Sequence, residues 1–139
     1  MNGSNKIKIY TDGGSRGNPG HAAIGIIMLE DGSIIREYSE YLGQCTNNQA
    51  EYAAIIKALE LSLEYHVRTL QVYSDSQLVI RQINHLYKIK NKQLLSLYLD
   101  VRTKEKKYKE VLYSHVPREN RYIAQADALV NKCLNRMRG

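Results

Sequence analysis

The stretch KIKIYTDGGSRGNPGHAAIGIIMLEDGSIIREYSEYLG, residues 6–43, decides the fold. Its first run, KIKIYT, alternates in the way that is typical of a strand. Two further runs, HAAIGIIMLE and SIIREYSEYLG, flank Asp31-Gly32, a dipeptide that strongly favours a hairpin turn. Three consecutive antiparallel strands are therefore predicted.

Helices and strands alternate in the remainder of the chain. The predicted elements are, in order, a helix at 47–65, a strand at 69–75, a helix at 76–84, a helix at about 92–109, a strand at 110–116 and a helix at about 123–137. This order predicts an α/β fold in which a mixed five-stranded sheet is flanked by helices. A length of 139 residues favours one domain spanning 1–139.

The positive charge is concentrated in one region. The net charge is +6, and residues 81–109 carry nine Lys or Arg against only Asp100 and Glu105. Such an excess suits a polyanionic partner better than a small neutral ligand, although a solvated helix face has the same composition.

Other features limit the cellular setting. No apolar run approaches the roughly 18 residues of a membrane span, and the polar start MNGSNK lacks the pattern of a signal peptide. We therefore expect a cytoplasmic protein without membrane association. Cys45 and Cys133 are too few and too far apart for a disulfide framework or a metal knuckle, so we expect two unpaired thiols.

Four acids fall at predicted element boundaries. We expect Asp12 to end the first strand, where glycines turn the chain sharply, and Asp75 to end the fourth. Glu51 lies one turn inside the first helix, and Asp127 lies near the start of the last one. Strand ends and helix starts can meet at one edge of a sheet, as in the ligand crevices of α/β proteins.

The chemistry of clustered acids points to a metal. Converging carboxylates raise one another's pKa values, so they imply a bound divalent cation, and oxygen ligands favour magnesium or manganese over zinc. Taken singly, each acid has another interpretation. Asp12 could start a turn, Glu51 or Asp75 could serve a helix start, and Asp127 could be solvated.

Four ordered motifs carry a family resemblance. They are YTDGGSRGNPG, TNNQAEYAAIIKAL, VYSDSQLVIRQIN and HVPRENRYIAQADALVN. With them the sequence resembles the type 1 ribonuclease H family from about Lys6 to Leu134. The resemblance implies an endonuclease that cuts the RNA strand of an RNA/DNA hybrid and leaves a 5′-phosphate and a 3′-hydroxyl.

The resemblance also implies the catalytic residues. The family's carboxylate quartet corresponds to Asp12, Glu51, Asp75 and Asp127, which would hold two Mg²⁺ ions, with Mn²⁺ as a substitute. Asp12 would bridge both ions, Asp75 and Asp127 would each help to hold one, and Glu51 would bind a metal and accept a hydrogen bond from the RNA sugar. A metal-activated water would then attack the scissile phosphate in line.

Substrate contacts follow from the same motifs. By the resemblance, polar side chains contact the two backbones and the base edges, Thr46 helps to grip a DNA phosphate, and Arg118 lies at the rim of the site. The polar side chains are Asn18, Asn47, Asn48 and Gln77. Gly13 and Gly14 would let a phosphate backbone come close.

Two departures from the family pattern stand out. The basic handle insertion of well-studied bacterial members is missing and the chain has no Trp, so Lys88, Lys90, Lys92 and the 104–109 cluster are candidates for phosphate contacts instead. His115 does not match the flexible-loop histidine of many members, and we expect it to be a structural strand residue.

Two other functions stay open. A nucleic-acid-binding module of the same fold would lack the chemistry, although the four acids argue against a pure polyanion binder. A nuclease that also cuts duplex RNA would use the same polar groups. We expect a monomer, because the sequence leaves no long apolar surface stripe.

Overall fold

The computed structural model describes residues 6–137. Its elements are β1 (Lys6–Gly17), β2 (Gly20–Glu30), β3 (Ser33–Cys45), α1 (Asn47–Leu61), β4 (Thr69–Ser74), α2 (Gln77–Ile83), α3 (Lys92–Glu105), β5 (Glu110–His115) and α4 (Arg121–Met137). A 3-10 turn, Ser62–Tyr65, continues α1. Most of the polar start MNGSNK lies outside the described residues.

The strands form one mixed sheet in the order β3-β2-β1-β4-β5. β1 pairs antiparallel with β2, and β2 pairs antiparallel with β3. β4 pairs parallel with β1, and β5 pairs parallel with β4. The predicted fold class, a mixed five-stranded sheet flanked by helices, is confirmed.

Helices α1 and α4 cover opposite faces of β1. A Cβ on Gly13 would meet Ala50 of α1, whereas a Cβ on Gly14 would meet Val130 of α4. Because neighbouring strand residues point to opposite faces, the two helices sandwich the strand. The larger core lies on the α1 face and is dominated by Ile, Leu, Val and Tyr side chains.

The first strand is longer than the sequence predicts. The glycines after Asp12 were expected to form a turn, but β1 continues to Gly17, and Asp12 pairs with Gly25 of β2. The expectation that Asp12 ends the strand is therefore wrong. The glycines are needed for close packing instead, because an added Cβ on Gly13 would lie 2.2 Å from the Ala50 carbonyl oxygen.

The start of α1 is well defined by its sequence. Thr46 is the N-cap, its hydroxyl oxygen accepts a hydrogen bond from Gln49 N, and the Gln49 side chain accepts one from Thr46 N. This reciprocal capping box satisfies two amides that the helix itself leaves unpaired. The register of α1, and with it the position of Glu51, follows from this cap.

Within the described residues, the structure bears on membrane spans and on the pairing of the two cysteines. None of the helices within residues 6–137 has both the length and the apolar character to cross a membrane. Cys45 is half-buried, Cys133 is buried, and both thiols are free. The prediction of unpaired thiols is thus confirmed.

The packing of α4 on β2 yields a stability prediction. A Cβ on Gly25 would lie 2.2 Å from the Ala126 carbonyl oxygen, so Gly25→Ala must push α4 away from the sheet. We expect a loss of at least about 1–3 kcal/mol in the free energy of unfolding, the usual cost of overpacking. Urea unfolding measures this loss.

Ser33→Ala, at the exposed start of β3, is the control and should change stability by less than about 0.5 kcal/mol. Wild-type stability in Gly25→Ala would contradict the direct contact between α4 and the strand.

Candidate active site

Carboxylates from three elements meet in one cleft. Oxygens of Asp12, Glu51 and Asp75 lie within 4.8 Å of one another, a grouping that could hold a metal ion. Asp127 lines the same cleft, which has a volume of about 260 Å³. The structure therefore brings all four predicted acids to one place.

The parallel pairing of β1 with β4 places two of these acids. Tyr10 of β1 pairs with Tyr73 of β4, and Asp12 and Asp75 each follow two residues later. Because the two strands are parallel, both acids lie side by side, two residues past the last pair of the two strands. The two acids therefore lie at the end of this parallel pairing and not at the end of β1.

Asp75 does not cap the following helix. Ser76 is the N-cap of α2, and its hydroxyl oxygen accepts a hydrogen bond from Val79 N at 3.3 Å. The hydroxyl oxygen of Ser74 accepts another from Ser76 N at 3.0 Å. With the serines serving the helix start, the Asp75 carboxylate is left to the cleft.

Glu51 is held by the backbone of β1. It is 5% exposed, and its Oε1 accepts a hydrogen bond from Gly13 N at 3.0 Å. Gln49 completes the capping box of α1, so the interpretation of Glu51 as the helix-start acid is wrong. The contact exists because Gly13 lets α1 approach the strand backbone directly.

Asp127 enters the cleft from the opposite face of the sheet. It lies in the second turn of α4 and is half-buried. Its carboxylate is close enough to Asp12 to raise the pKa of that residue, and it accepts a hydrogen bond from the Asn131 amide at 3.2 Å. The cleft thus lies between the two helices that sandwich β1.

Burial and mutual repulsion shift these acids strongly. Burial, followed by the charges of Asp75 and Asp127, raises the pKa of Asp12 to about 8, against a smaller opposing effect of Arg118. Burial and Asp12 also raise the pKa of Glu51 well above its ordinary value. Burial raises the pKa of Asp75 as well, and Arg118 partly opposes this.

The donor set fits a hard divalent cation. Its ligand atoms are carboxylate oxygens, and His and Cys are absent from the metal-ligating group found among residues 6–137. Such oxygen ligands suit Mg²⁺ or Mn²⁺. A bound cation would replace the protons that the raised pKa values otherwise retain.

The predicted substrate residues, except Gln77, line two depressions that share Asn47. Gly13, Gly14, Asn47 and Arg118 line the acid cleft. A second depression of about 220 Å³ is lined by Asn18, Thr46, Asn47, Asn48, Gln49, Asn91, Gln93 and Leu94. Gln77 lines neither depression and is exposed at the first position of α2.

Several lining residues were missed from the sequence. Arg16 and Asn131 line the acid cleft, and Asn91 and Gln93 line the second depression. Asn91 had a readable signal, since it is the N-cap of α3 and accepts a hydrogen bond from Leu94 N. The contact of Arg16 with Asn131 spans 115 residues and has no local signal.

His115 lies close enough to the acid cleft to affect Asp75. It lies on β5, as predicted, although the strand ends at His115 and not at Val116; it is exposed, and its proximity lowers the pKa of Asp75 slightly against the larger effect of burial. The expectation of a structural strand residue stays a prediction.

The raised pKa of Asp12 predicts how stability depends on pH. The pKa of an unfolded Asp is about 3.9, whereas burial and neighbouring acids raise the pKa of folded Asp12 to about 8. Protonated Asp12 therefore stabilises the fold fully at a pH below the pKa of the unfolded state. This stabilisation is lost as the pH rises through the pKa of the folded state. With chelator present, the free energy of unfolding should fall by at least about 1 kcal/mol between about pH 5 and 9.

Urea unfolding at a series of pH values measures this dependence. Asp12→Asn should show a smaller fall, whereas Asp31→Asn, in the exposed hairpin turn, should follow the wild type. A flat or rising stability across the same pH range would show that Asp12 is ionised without metal.

Comparisons with known proteins agree with this geometry. The profile of the reverse transcriptase-like family matches residues 10–133. Ribonuclease HI of Halobacterium salinarum is 36% identical over 131 residues, which cover 94% of this chain and 65% of that protein. A bifunctional protein of Mycobacterium tuberculosis is 34% identical over 133 residues, and the chain spans only 36% of its length.

The chain covers nearly the full length of two similar solved structures. The crystal structure of ribonuclease H1 from H. salinarum has a TM-score of 0.89 at 36% identity, over 94% of this chain and 98% of that one. LC11 ribonuclease H1 in complex with RNA/DNA hybrid has a TM-score of 0.90 at 36% identity, over 96% and 99%. The chain therefore belongs to the reverse transcriptase-like family and, within it, to the type 1 ribonucleases H.

Proposed function

We propose that the protein is a metal-dependent endonuclease that hydrolyses the RNA strand of RNA/DNA hybrids to 5′-phosphate and 3′-hydroxyl ends. The cleft that gathers four carboxylates from both faces of the sheet carries this proposal. Membership in the type 1 ribonucleases H supports it, as does a relative whose structure contains an RNA/DNA hybrid.

We propose Mg²⁺ as the metal, with two ions, and Mn²⁺ as a substitute. Asp12, Glu51, Asp75 and Asp127 are the residues that would hold them. When bound, two such ions activate a water and stabilise the charge on the attacking and leaving oxygens. The high pKa of metal-free Asp12 supports this role, because a cation is the natural partner of these crowded acids.

The chain's own contribution is access and charge balance. Gly13 and Gly14 line the cleft and present backbone there, as the close approach of a phosphate requires. Arg118 lies at the same cleft and lowers the pKa of Asp75. Its exposed guanidinium is available to a phosphate oxygen of the RNA strand.

The second depression is suited to a phosphate of the DNA strand. Asn18 Oδ1 accepts a hydrogen bond from Asn47 N, and Asn47 Oδ1 accepts one from Ser15 N. Thr46 Oγ1 accepts from Gln49 N. These internal bonds occupy acceptor atoms and leave side-chain donors, as a phosphate requires. Asn91 and Gln93 extend the same surface.

Basic residues next to this depression replace the missing handle. Lys88, Lys90 and Lys92 are exposed, and none of them takes part in the ion pairs observed within residues 6–137. Lys104, in contrast, pairs with Asp100 and Glu60. Lys106, Lys107 and Lys109 are also exposed and outside these ion pairs, so we assign phosphate contacts first to the 88–92 segment because Lys92 lies between Asn91 and Gln93 of the second depression.

Substrate breadth, assembly and location stay predictions. Cleavage of duplex RNA would use the same cleft. Leu86, Tyr87 and Leu95 line one exposed hollow, so the surface is less uniformly polar than the expectation of a monomer assumed. A cytoplasmic location rests on the sequence alone.

A cleavage assay tests the proposed function. One end-labelled RNA is annealed separately to DNA and to RNA and incubated with Mg²⁺, Mn²⁺ or chelator. We expect metal-dependent cutting of the hybrid, and at least a thousandfold slower cutting by Asp12→Asn, roughly the loss of 4 kcal/mol of transition-state stabilisation.

Asp31→Asn is the matched control, because it makes the same chemical change in an exposed turn. Wild-type cleavage by folded Asp12→Asn would refute the carboxylate assignment. Cutting of both duplexes would widen the substrate, and tight hybrid binding without cutting in either metal would favour the binding module.

A further inference from the structure

Asp127 is the acid of the quartet that reaches the cleft from α4, where its carboxylate also lies within hydrogen-bond reach of Asp12. Asp12 lies within β1 opposite Gly25, and Glu51 accepts a hydrogen bond from Gly13 N. Asp127 projects from the second turn of α4 and is not part of the three-carboxylate group within 4.8 Å. Its orientation must come from neighbours on its own helix or across the cleft.

Asn131 contacts Asp127 one helical turn away. Its Nδ2 donates to Asp127 Oδ2 and to the Asp127 carbonyl oxygen, both at 3.2 Å. Two acceptors from one residue hold the amide in place and direct its donor at the carboxylate. Asn131 therefore selects one rotation of the Asp127 side chain.

Arg16 holds the other side of the same amide. Its Nη2 lies 3.4 Å from both Oδ1 and the carbonyl oxygen of Asn131. A guanidinium only donates and a carboxylate only accepts, so the amide has one consistent orientation, with oxygen toward Arg16 and nitrogen toward Asp127. The chain of contacts thus runs from the end of β1 to α4.

The backbone of Arg16 is held by the turn that follows it, and its side chain is exposed. Arg16 pairs with His21, and an added Cβ on Gly20 would lie 2.4 Å from the Arg16 carbonyl oxygen. The tight turn therefore presents Arg16 to α4 from a strand that also carries Asp12.

We propose that Asn131 and Arg16 are positioning residues that hold the Asp127 carboxylate in the orientation in which it ligates a metal ion. This inference rests on the proposed function for its biological meaning. The physical claim concerns metal binding by the free protein.

The uncharged amide of Asn131 is well suited to orienting a carboxylate that binds a metal ion. A guanidinium paired directly with Asp127 would form strong charge-assisted hydrogen bonds and compete with the metal for the carboxylate. The Asn131 amide orients the carboxylate while its negative charge stays available to a cation. Arg16 in turn contacts the amide, and the ion pairs observed within residues 6–137 do not include one between Arg16 and Asp127.

Calorimetric titration with Mn²⁺, without nucleic acid, tests the proposal. We expect Asn131→Ala to bind Mn²⁺ at least about tenfold more weakly, the lower range for residues that orient metal ligands. Arg16→Ala should weaken binding less, and the double variant should bind no more weakly than Asn131→Ala, since Arg16 acts through Asn131. Asn135→Ala, one turn further along α4 and exposed, is the matched control and should bind as the wild type does.

Two results would overturn the proposal. Unchanged Mn²⁺ affinity in Asn131→Ala would show that Asp127 needs no orientation. Arg16→Ala that raises the KM for hybrid at unchanged Mn²⁺ affinity would place Arg16 on the substrate instead. A wild type that binds Mn²⁺ and leaves hybrid uncut would refute the proposed function alone, because the titration does not depend on cleavage.

Discussion

The site depends on two places where a helix carbonyl contacts the sheet backbone at a glycine. Gly13 lies against Ala50 of α1, and Gly25 lies against Ala126 of α4. The residue after each alanine is an acid of the site, Glu51 or Asp127. Asp12 precedes Gly13 and pairs with Gly25, so both contacts lie beside it. Three acids converge because their neighbours in sequence are packed without side chains between them.

This packing imposes an electrostatic cost that the remainder of the fold must offset. Burial and crowding raise the pKa values of Asp12, Glu51 and Asp75, so ionisation without metal opposes folding. The large apolar core between α1 and the sheet supplies stability away from the site. Raised pKa values at a cleft are typical of functional sites, where charge is arranged for a ligand rather than for stability.

The sequence predicts the order of the elements well because that order depends on local signals. The Asp31-Gly32 turn lies where its dipeptide predicts it, and the capping box of Thr46 and Gln49 likewise acts over only a few residues. The length of β1 was missed because glycine is ambiguous. A glycine run serves a turn or a close contact, and only the packing of α1 on Gly13 distinguishes the two.

The site was harder to read than the fold. The four acids could be named because they lie in recognisable motifs, yet their neighbours depend on tertiary contacts. The approach of Arg16 to Asn131 follows from the packing of α4 on the sheet, not from any periodicity. The same holds for Asn91, a helix cap by its local sequence that also lines the second depression.

The central claim of the proposal is that Asp12, with the other three acids, would hold divalent metal ions at the scissile phosphate. Anomalous scattering from Mn²⁺, in crystals of the Glu51→Gln variant bound to an RNA/DNA hybrid, tests it most directly. The account predicts two peaks about 4 Å apart, one on each side of the Asp12 carboxylate and both next to a phosphate of the RNA strand. A hybrid bound with no peak at Asp12, or with metal only at other residues, would contradict it.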